Sequence, residues 1–305
     1  MSRSHHVSRH LIPALLSVVA LLQAQAPTRS LPSTSRVIYV NAEDARHAAV
    51  RDLGAEDFVV KEDGKQRQIL SVEPAAGGIQ IVVLVDDNGT GIFRHGLAAF
   101  AERLQGRAEI ALRVVNNQVQ TIVPSTRDVN AWMAGIAHLG VRPASNDGGQ
   151  LMEGIYEAAK EFRRREAPRA TIVALTVGGE EQSPRPAAQV LDELWHSGAA
   201  LHVMFVENRT IRPSGTVNKP SDLLENTFDL SKVLSSGPKE SGGRRRDTLT
   251  AGTLQVDVQQ IARDLLSQYA ITYERPASAN APRKLQVTSP RRGLTVTAAT
   301  RVPVR

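Results

Sequence analysis

The stretch Ile81–Gly91 reads IVVLVDDNGTG. Asp86, Asn88 and Thr90 alternate along it, and each carries a side-chain oxygen. A carboxylate with neutral oxygens on one tight turn suits a hard divalent cation such as Mg²⁺ or Mn²⁺. Such an ion takes oxygen ligands in near-octahedral geometry, keeps several waters and uses only one or two carboxylates. Gly89 lets the turn close. The competing reading is a polar turn at the end of a buried strand, with Asp86 or Asn88 capping the helix that follows.

Other chemistry is sparse. The eight histidines form no catalytic pattern: His95, His138 and His196 fall on or near predicted helices, and His202 falls in a strand. Gly-x-Ser-x-Gly, His-Glu-x-x-His and phosphate-cradling glycine loops are absent from the sequence. Gly148-Gly149 and Gly178-Gly179 read as turn glycines. The chain has no cysteine, which rules out disulfides, thiolate metal sites and a cysteine-linked lipid anchor. These features predict a protein that is not an enzyme.

The elements around Asp86 can be read from periodicity. Ile81–Val85 is a continuous apolar run, as in a strand buried on both faces. Phe93, Leu97, Phe100 and Leu104 then recur at helical spacing. Ile110–Val115, Val119–Val123, Ala170–Val177 and Leu201–Val206 read as further strands. Trp132/Ile136/Leu139, Leu151/Ile155/Ala158/Phe162 and Ala187/Val190/Leu191/Leu194 mark helix faces between them. Strands alternating with helices imply right-handed crossovers and a parallel sheet covered on both sides. In such a sheet the ligand site lies beyond the carboxyl ends of the strands, where Asp86 stands.

Flanking segments differ. Residues 34–76 read as a small β module, with Asp63-Gly64 marking a tight hairpin turn. Residues 208–251 are rich in Pro, Ser, Gly and Arg and read as a flexible excursion, with one short helix near Leu223–Phe228. Leu254, Val258, Ile261 and Leu265 predict a last helix, and three strands follow it. At the amino terminus, a basic segment precedes the apolar run Leu11–Leu22 and the small residues Ala24 and Ala26, the order of a secretory signal. That run is too short to span a bilayer as a mature helix. An exported protein, periplasmic or extracellular, with no membrane span after signal removal is therefore expected.

The formal charge is +6. Arg163–Arg165 and Arg244–Arg246 are its densest runs. No aromatics interleave with them, so no specific nucleic-acid binding is expected.

Taken together, the chain resembles the von Willebrand factor A domain, and more narrowly the bacterial secreted "VWFA-related" family. Asp86–Thr90 stands at the first loop of that domain's metal-ion-dependent adhesion site, where the family has D-x-S-x-S. Asp57-Phe58, Glu62-Asp63-Gly64-Lys65 and Ile69 match its amino-terminal β segment. Gly242-Gly243-Arg244 matches a turn. Ile261-Ala262, Gln268-Tyr269 and Tyr273 match its carboxy-terminal segment. The second loop's threonine position falls on Gly149, and the third loop's aspartate position on Val177; neither has a side-chain oxygen. Asp147 and Glu180 are the candidate substitutes.

The resemblance implies an α/β, doubly wound and mostly parallel sheet flanked by helices, with a small accessory β module from the two terminal segments. The divisions are 1–26 signal, 34–76 β module, 79–207 α/β core, 208–251 excursion, and 252–305 last core helix and terminal strands. The implied function is a secreted, non-enzymatic adhesion-type module that binds a protein ligand on its upper face, where Asp87, Asn146, Asp147 and Glu181 join the loop residues. Mg²⁺ or Mn²⁺ dependence is expected to be weak or absent. The alternatives are a metal-independent structural or interaction module of the bacterial cell envelope and, third, a polyanion binder using Arg244–Arg246.

Overall fold

The computed structural model describes residues 33–139, 149–206, 221–248, 251–276 and 284–302. All of these lie in one compact unit. In chain order the unit opens with β1 (Ser33–Glu43), β2 (Val59–Glu62), β3 (Lys65–Arg67) and β4 (Ile69–Pro74). The α/β core then runs β5 (Ile79–Asp86), α1 (Arg94–Leu104), β6 (Ala108–Val115), β7 (Val119–Thr126), α2 (Val129–Ala137) and α3 (Leu151–Arg164). It continues through β8 (Ala170–Thr176), α4 (Ala187–Ser197), β9 (Ala200–Val206), α5 (Ser221–Ser241), β10 (Arg245–Thr248) and α6 (Leu254–Leu266). Three strands close it: β11 (Tyr269–Pro276), β12 (Leu285–Thr288) and β13 (Thr295–Thr297).

The core sheet has the order β10-β9-β8-β5-β6-β7, parallel throughout except for the antiparallel edge strand β7. Numbered along the core, that order is 3-2-1-4-5-6, the doubly wound arrangement whose order reverses at its first strand. β5 is that strand, and its side chains alternate between two cores. Ile79, Ile81, Val83 and Val85 pack with Phe93, Leu97, Phe100 and Leu104 of α1 and its approach, and with Val258 and Ile261 of α6. Val82 and Leu84 pack on the opposite face with α3, α4 and α5. An unbroken apolar strand is therefore what a doubly covered sheet requires. Each fully buried Leu, Val or Ile contributes roughly 1.5–3 kcal/mol relative to exposure.

The accessory part is a second sheet, β13-β1-β11-β4, and a third, β12-β2-β3. β1 and β11 pair antiparallel from Ser33↔Pro276 to Val40↔Tyr269, so the two terminal segments meet as expected. Asp63 (φ 47°) and Gly64 (φ 81°) form the two-residue turn between β2 and β3. Residues matched to the family pattern touch one another here: the Tyr273 hydroxyl donates to the buried Glu62 carboxylate at 2.8 Å. A buried network ties this sheet to the core. The Arg169 guanidinium donates to Gln268 Oε1 at 3.0 and 3.2 Å and to the Ala75 carbonyl at 3.2 Å. Its face also lies over Tyr39.

One expectation needs correction. The described part of 208–251 is not an excursion with one short helix. It holds the 21-residue α5 and the edge strand β10. Leu230, Val233 and Leu234 are buried against the α3–α4 face. Gly237 and Gly243, which read as loop residues in sequence, are close contacts. A Cβ on Gly243 would lie 1.9 Å from the Leu201 carbonyl oxygen, so only glycine lets this turn pack on β9. The leader-like residues 1–26 lie outside the described residues. Among the described residues no helix is long and apolar enough to cross a membrane.

Candidate functional site

Asp86 ends β5, and Thr176 ends the neighbouring β8. This is the crevice outside the carboxyl ends of the strands, at the reversal of strand order. The Thr176 hydroxyl donates to Asp86 Oδ2 at 2.7 Å and accepts from the Gly178 amide at 2.9 Å. Partial burial removes the Asp86 carboxylate from water. Burial first and the neighbouring Asp87 second push its pKa up to about 6, against the lowering effect of the Thr176 hydrogen bond.

The rest of the first loop is held by its own backbone. Asp87 is buried and accepts from the amides of Gly89 at 3.0 Å and Gly91 at 2.7 Å. Its carbonyl accepts from the Thr90 hydroxyl at 2.8 Å. Asn88 (φ 49°) and Gly89 (φ 77°) take left-handed conformations, which asparagine and glycine tolerate best. The polar residues of IVVLVDDNGTG therefore divide. Asp87 and Thr90 build the turn, while Asp86 points into the crevice. Neither Asp86 nor Asn88 caps α1: the residue before that helix is Phe93, with no side-chain cap.

The second loop reaches the site as bare backbone. Gly149 lies against Asp86, and a Cβ there would sit 3.0 Å from Asp86 Oδ1. Its amide donates to the Glu180 carbonyl and its carbonyl accepts from Gln182, both at 2.8 Å, which stitches the second loop to the third. In the third loop Val177 is buried, and its amide donates to the Asp86 carbonyl at 3.0 Å.

Glu181 is the residue whose role the sequence left open. Its side chain is fully buried. Oε2 accepts from the amide of Leu151, the first residue of α3, and Oε1 from the amide of Ser183, each at 3.0 Å. The carboxylate thus serves the helix amino terminus, where orphan amides and the helix dipole favour an anion. Burial pushes the Glu181 pKa up to about 8. The amides of Ser183, Leu151 and Met152 oppose that shift, and Asp86 adds to it. Two mutually repelling carboxyl groups therefore share this face. No local motif announces the cap, because Glu181 stands thirty residues downstream of the helix it serves.

Against a Mg²⁺ or Mn²⁺ site these residues do not fit. Gly149 and Val177 supply no side-chain oxygen at the second and third loops. The Thr90 hydroxyl is turned onto the Asp87 carbonyl, and the Glu181 carboxylate onto α3. Among the described residues no group of three His, Cys, Asp or Glu side chains is placed to hold a metal. Glu180 contributes its carbonyl to the loop pairing. Asn146 and Asp147 lie outside the described residues. The described residues alone do not assemble an octahedral shell of oxygens.

No protein-family model matches the chain, and no curated protein matches it. Several solved structures are similar. A von Willebrand factor type A protein from Catenulispora acidiphila aligns with 90% of this chain and 75% of its own, at 13% identity and TM-score 0.43. BatB from Bacteroides thetaiotaomicron aligns with 62% of this chain and 98% of its own, at 14% identity and TM-score 0.40. Proximal thread matrix protein 1 from the mussel byssus, described with a zinc-occupied MIDAS motif, aligns with 64% of this chain and 49% of its own, at 13% identity and TM-score 0.41. With its 3-2-1-4-5-6 order and one antiparallel edge strand, the core is a doubly wound, Rossmann-like α/β sheet, the arrangement that the sequence resemblance implies.

Proposed function

We propose that this chain is an exported, non-enzymatic binding module whose upper face takes a protein ligand without a divalent ion. The observation that carries this reading is the state of Asp86. Its carboxylate stands at the switch point of the sheet, loses hydration and gains one hydroxyl donor, while the neighbouring oxygens are committed elsewhere. Such a group suits a donor from a partner, such as an arginine, a lysine or backbone amides, which would supply the charge compensation that a metal supplies elsewhere. The turn holding it is fixed by Asp87, so little ordering cost falls on binding. The leader-like amino terminus supports export.

The test places a photo-crosslinker at Asn88 of the full chain and exposes it to the extracellular fraction of its host, with and without EDTA. The reading predicts one protein adduct that survives EDTA and is lost in Asp86→Ala. An adduct abolished by EDTA contradicts metal independence. An adduct unaffected by Asp86→Ala removes Asp86 from the site.

A further inference from the structure

A second surface, away from Asp86, has its own chemistry. Two clefts adjoin along the flank and lower end of the core. One, of about 800 Å³, lies between α5, β10, α6 and β13. The other, of about 740 Å³, lies between the carboxyl ends of α1 and α6 and the loop that follows β1. Both are lined by Glu43, His47, Gln260 and Arg263, so they form one groove.

The groove is basic. Arg244, Arg245 and Arg246 stand in it, but each meets an acid: Glu43 at 2.6 Å, Asp247 at 2.8 Å and Asp264 at 3.0 Å. The sequence run that stands out is thus largely neutralised. The charge without an ion-pair partner comes from residues scattered through the chain. Arg46, Arg51, Arg103, Arg107, Lys239 and Arg263 line the groove with no carboxylate at ion-pair distance among the described residues. Against these six stand two unpaired carboxylates in the lining, Glu102 and Asp257, while Asp44 acts on Arg46 from beside the groove. Three of the cations occupy the last turns of α1, α5 and α6, where a positive charge complements the helix dipole. Arg46, Arg51 and Arg107 lie outside helices and have no such role.

The ligand class follows from the lining. Cations spread over three helices and two loops reward a chain of anions more than a single one, since each neutralised anion releases counterions. No Phe, Tyr or Trp lines either cleft. Base stacking, worth ~1–3 kcal/mol per base in single-strand binding sites, is therefore not on offer. We propose that this groove binds a linear polyanion without stackable bases, an acidic polysaccharide or a polyphosphate chain. This function is separate from the protein-binding face.

The experiment titrates the full chain with heparin and, separately, with long-chain polyphosphate, across roughly 50–200 mM salt. The groove variant is Arg46→Gln/Arg51→Gln/Arg107→Gln. The control, Arg164→Gln/Arg291→Gln/Arg292→Gln, removes three exposed arginines outside both clefts. All six positions are exposed, so folding is unaffected, and circular dichroism checks this. At least one probe should bind, and the tighter identifies the source. The groove variant should weaken binding about tenfold or more, and flatten the slope of log K against log salt by roughly 2, at ~0.7 per lost contact. The control should leave affinity and slope within a factor of about two. Equal losses in both variants, or no binding of either probe, overturn the proposal. Oligothymidylate of equal charge binding as tightly as the better probe overturns the ligand class.

Discussion

Asp86→Asn should make the protein more stable at neutral and alkaline pH. Asparagine keeps the acceptor for Thr176 and the side-chain volume, and removes only the charge. The Asp86 carboxyl is raised from 3.8 to about 6, by burial first. Below pH 3.8 the folded and unfolded chains both hold the proton, and the group contributes nothing to stability. Between 3.8 and about 6 the unfolded chain has released the proton that the folded chain keeps. The folded state then binds more protons, so stability falls as pH rises through this window. Above it the penalty is constant. At ~1.36 kcal/mol per pH unit the full penalty is about 3 kcal/mol. Solvent reaching the partly buried side chain reduces this to roughly 1.5–3 kcal/mol. Urea unfolding of the full chain and the variant at pH 3, 5 and 8, with the slope held common, reads the difference. The variant should gain that amount at pH 8, about half of it at pH 5, and nothing at pH 3. Glu181 titrates in both proteins and largely cancels. A variant that is equally or less stable at pH 8 would overturn this, because the carboxylate would then have a compensating cation, and none acts on it among the described residues. A residue that costs stability where it stands is also what a functional position looks like.

Gly149→Thr with Val177→Asp should bind Mn²⁺ more tightly than wild type does, since position 149 borders Asp86 Oδ1 at 3.0 Å. By calorimetry the double variant should give a saturable isotherm. Its stability, lowered by roughly 2 kcal/mol in EDTA by the carboxylate that replaces the buried Val177 side chain, should recover with the metal. Gly243→Ala should cost more than about 3 kcal/mol or prevent folding, as the added methyl meets the Leu201 carbonyl at 1.9 Å. A silent substitution there would restore the flexible reading of that segment. Asp264→Ala should destabilise by about 3 kcal/mol in thermal or urea unfolding, because it strands the Arg246 guanidinium and a Gln260 amide.

What could be read from sequence, and what could not, divides along physical lines. Ile81–Val85 and Ala170–Val177 announced themselves because a strand covered on both faces is apolar at nearly every position. Phe93, Leu97, Phe100 and Leu104 did so because a helix on a sheet repeats at three and four. Asp63-Gly64 read correctly because two consecutive left-handed residues demand that chemistry. α5 was hidden for the opposite reason. Its buried stripe of Leu230, Val233 and Leu234 is short, and Gly237 serves a tight contact with Leu201 that sequence alone renders as a turn signal. The Asp86 crevice was visible as a place but not as an assembly. Thr176 lies ninety residues from Asp86, and Glu181 thirty from the helix it caps. The basic groove gathers Arg46, Arg51, Arg107 and Arg263 from distant segments, whereas the conspicuous Arg244–Arg246 run is paired with acids.

The upper face is proposed to work without a metal ion. Electron paramagnetic resonance of Mn²⁺ titrated into the full chain tests it most directly, because bound ions lose the sharp six-line signal of the free ion. The signal should rise in step with total Mn²⁺ into the millimolar range, identically for wild type and Asp86→Ala. A signal that is quenched stoichiometrically by wild type, and restored in Asp86→Ala, would contradict it.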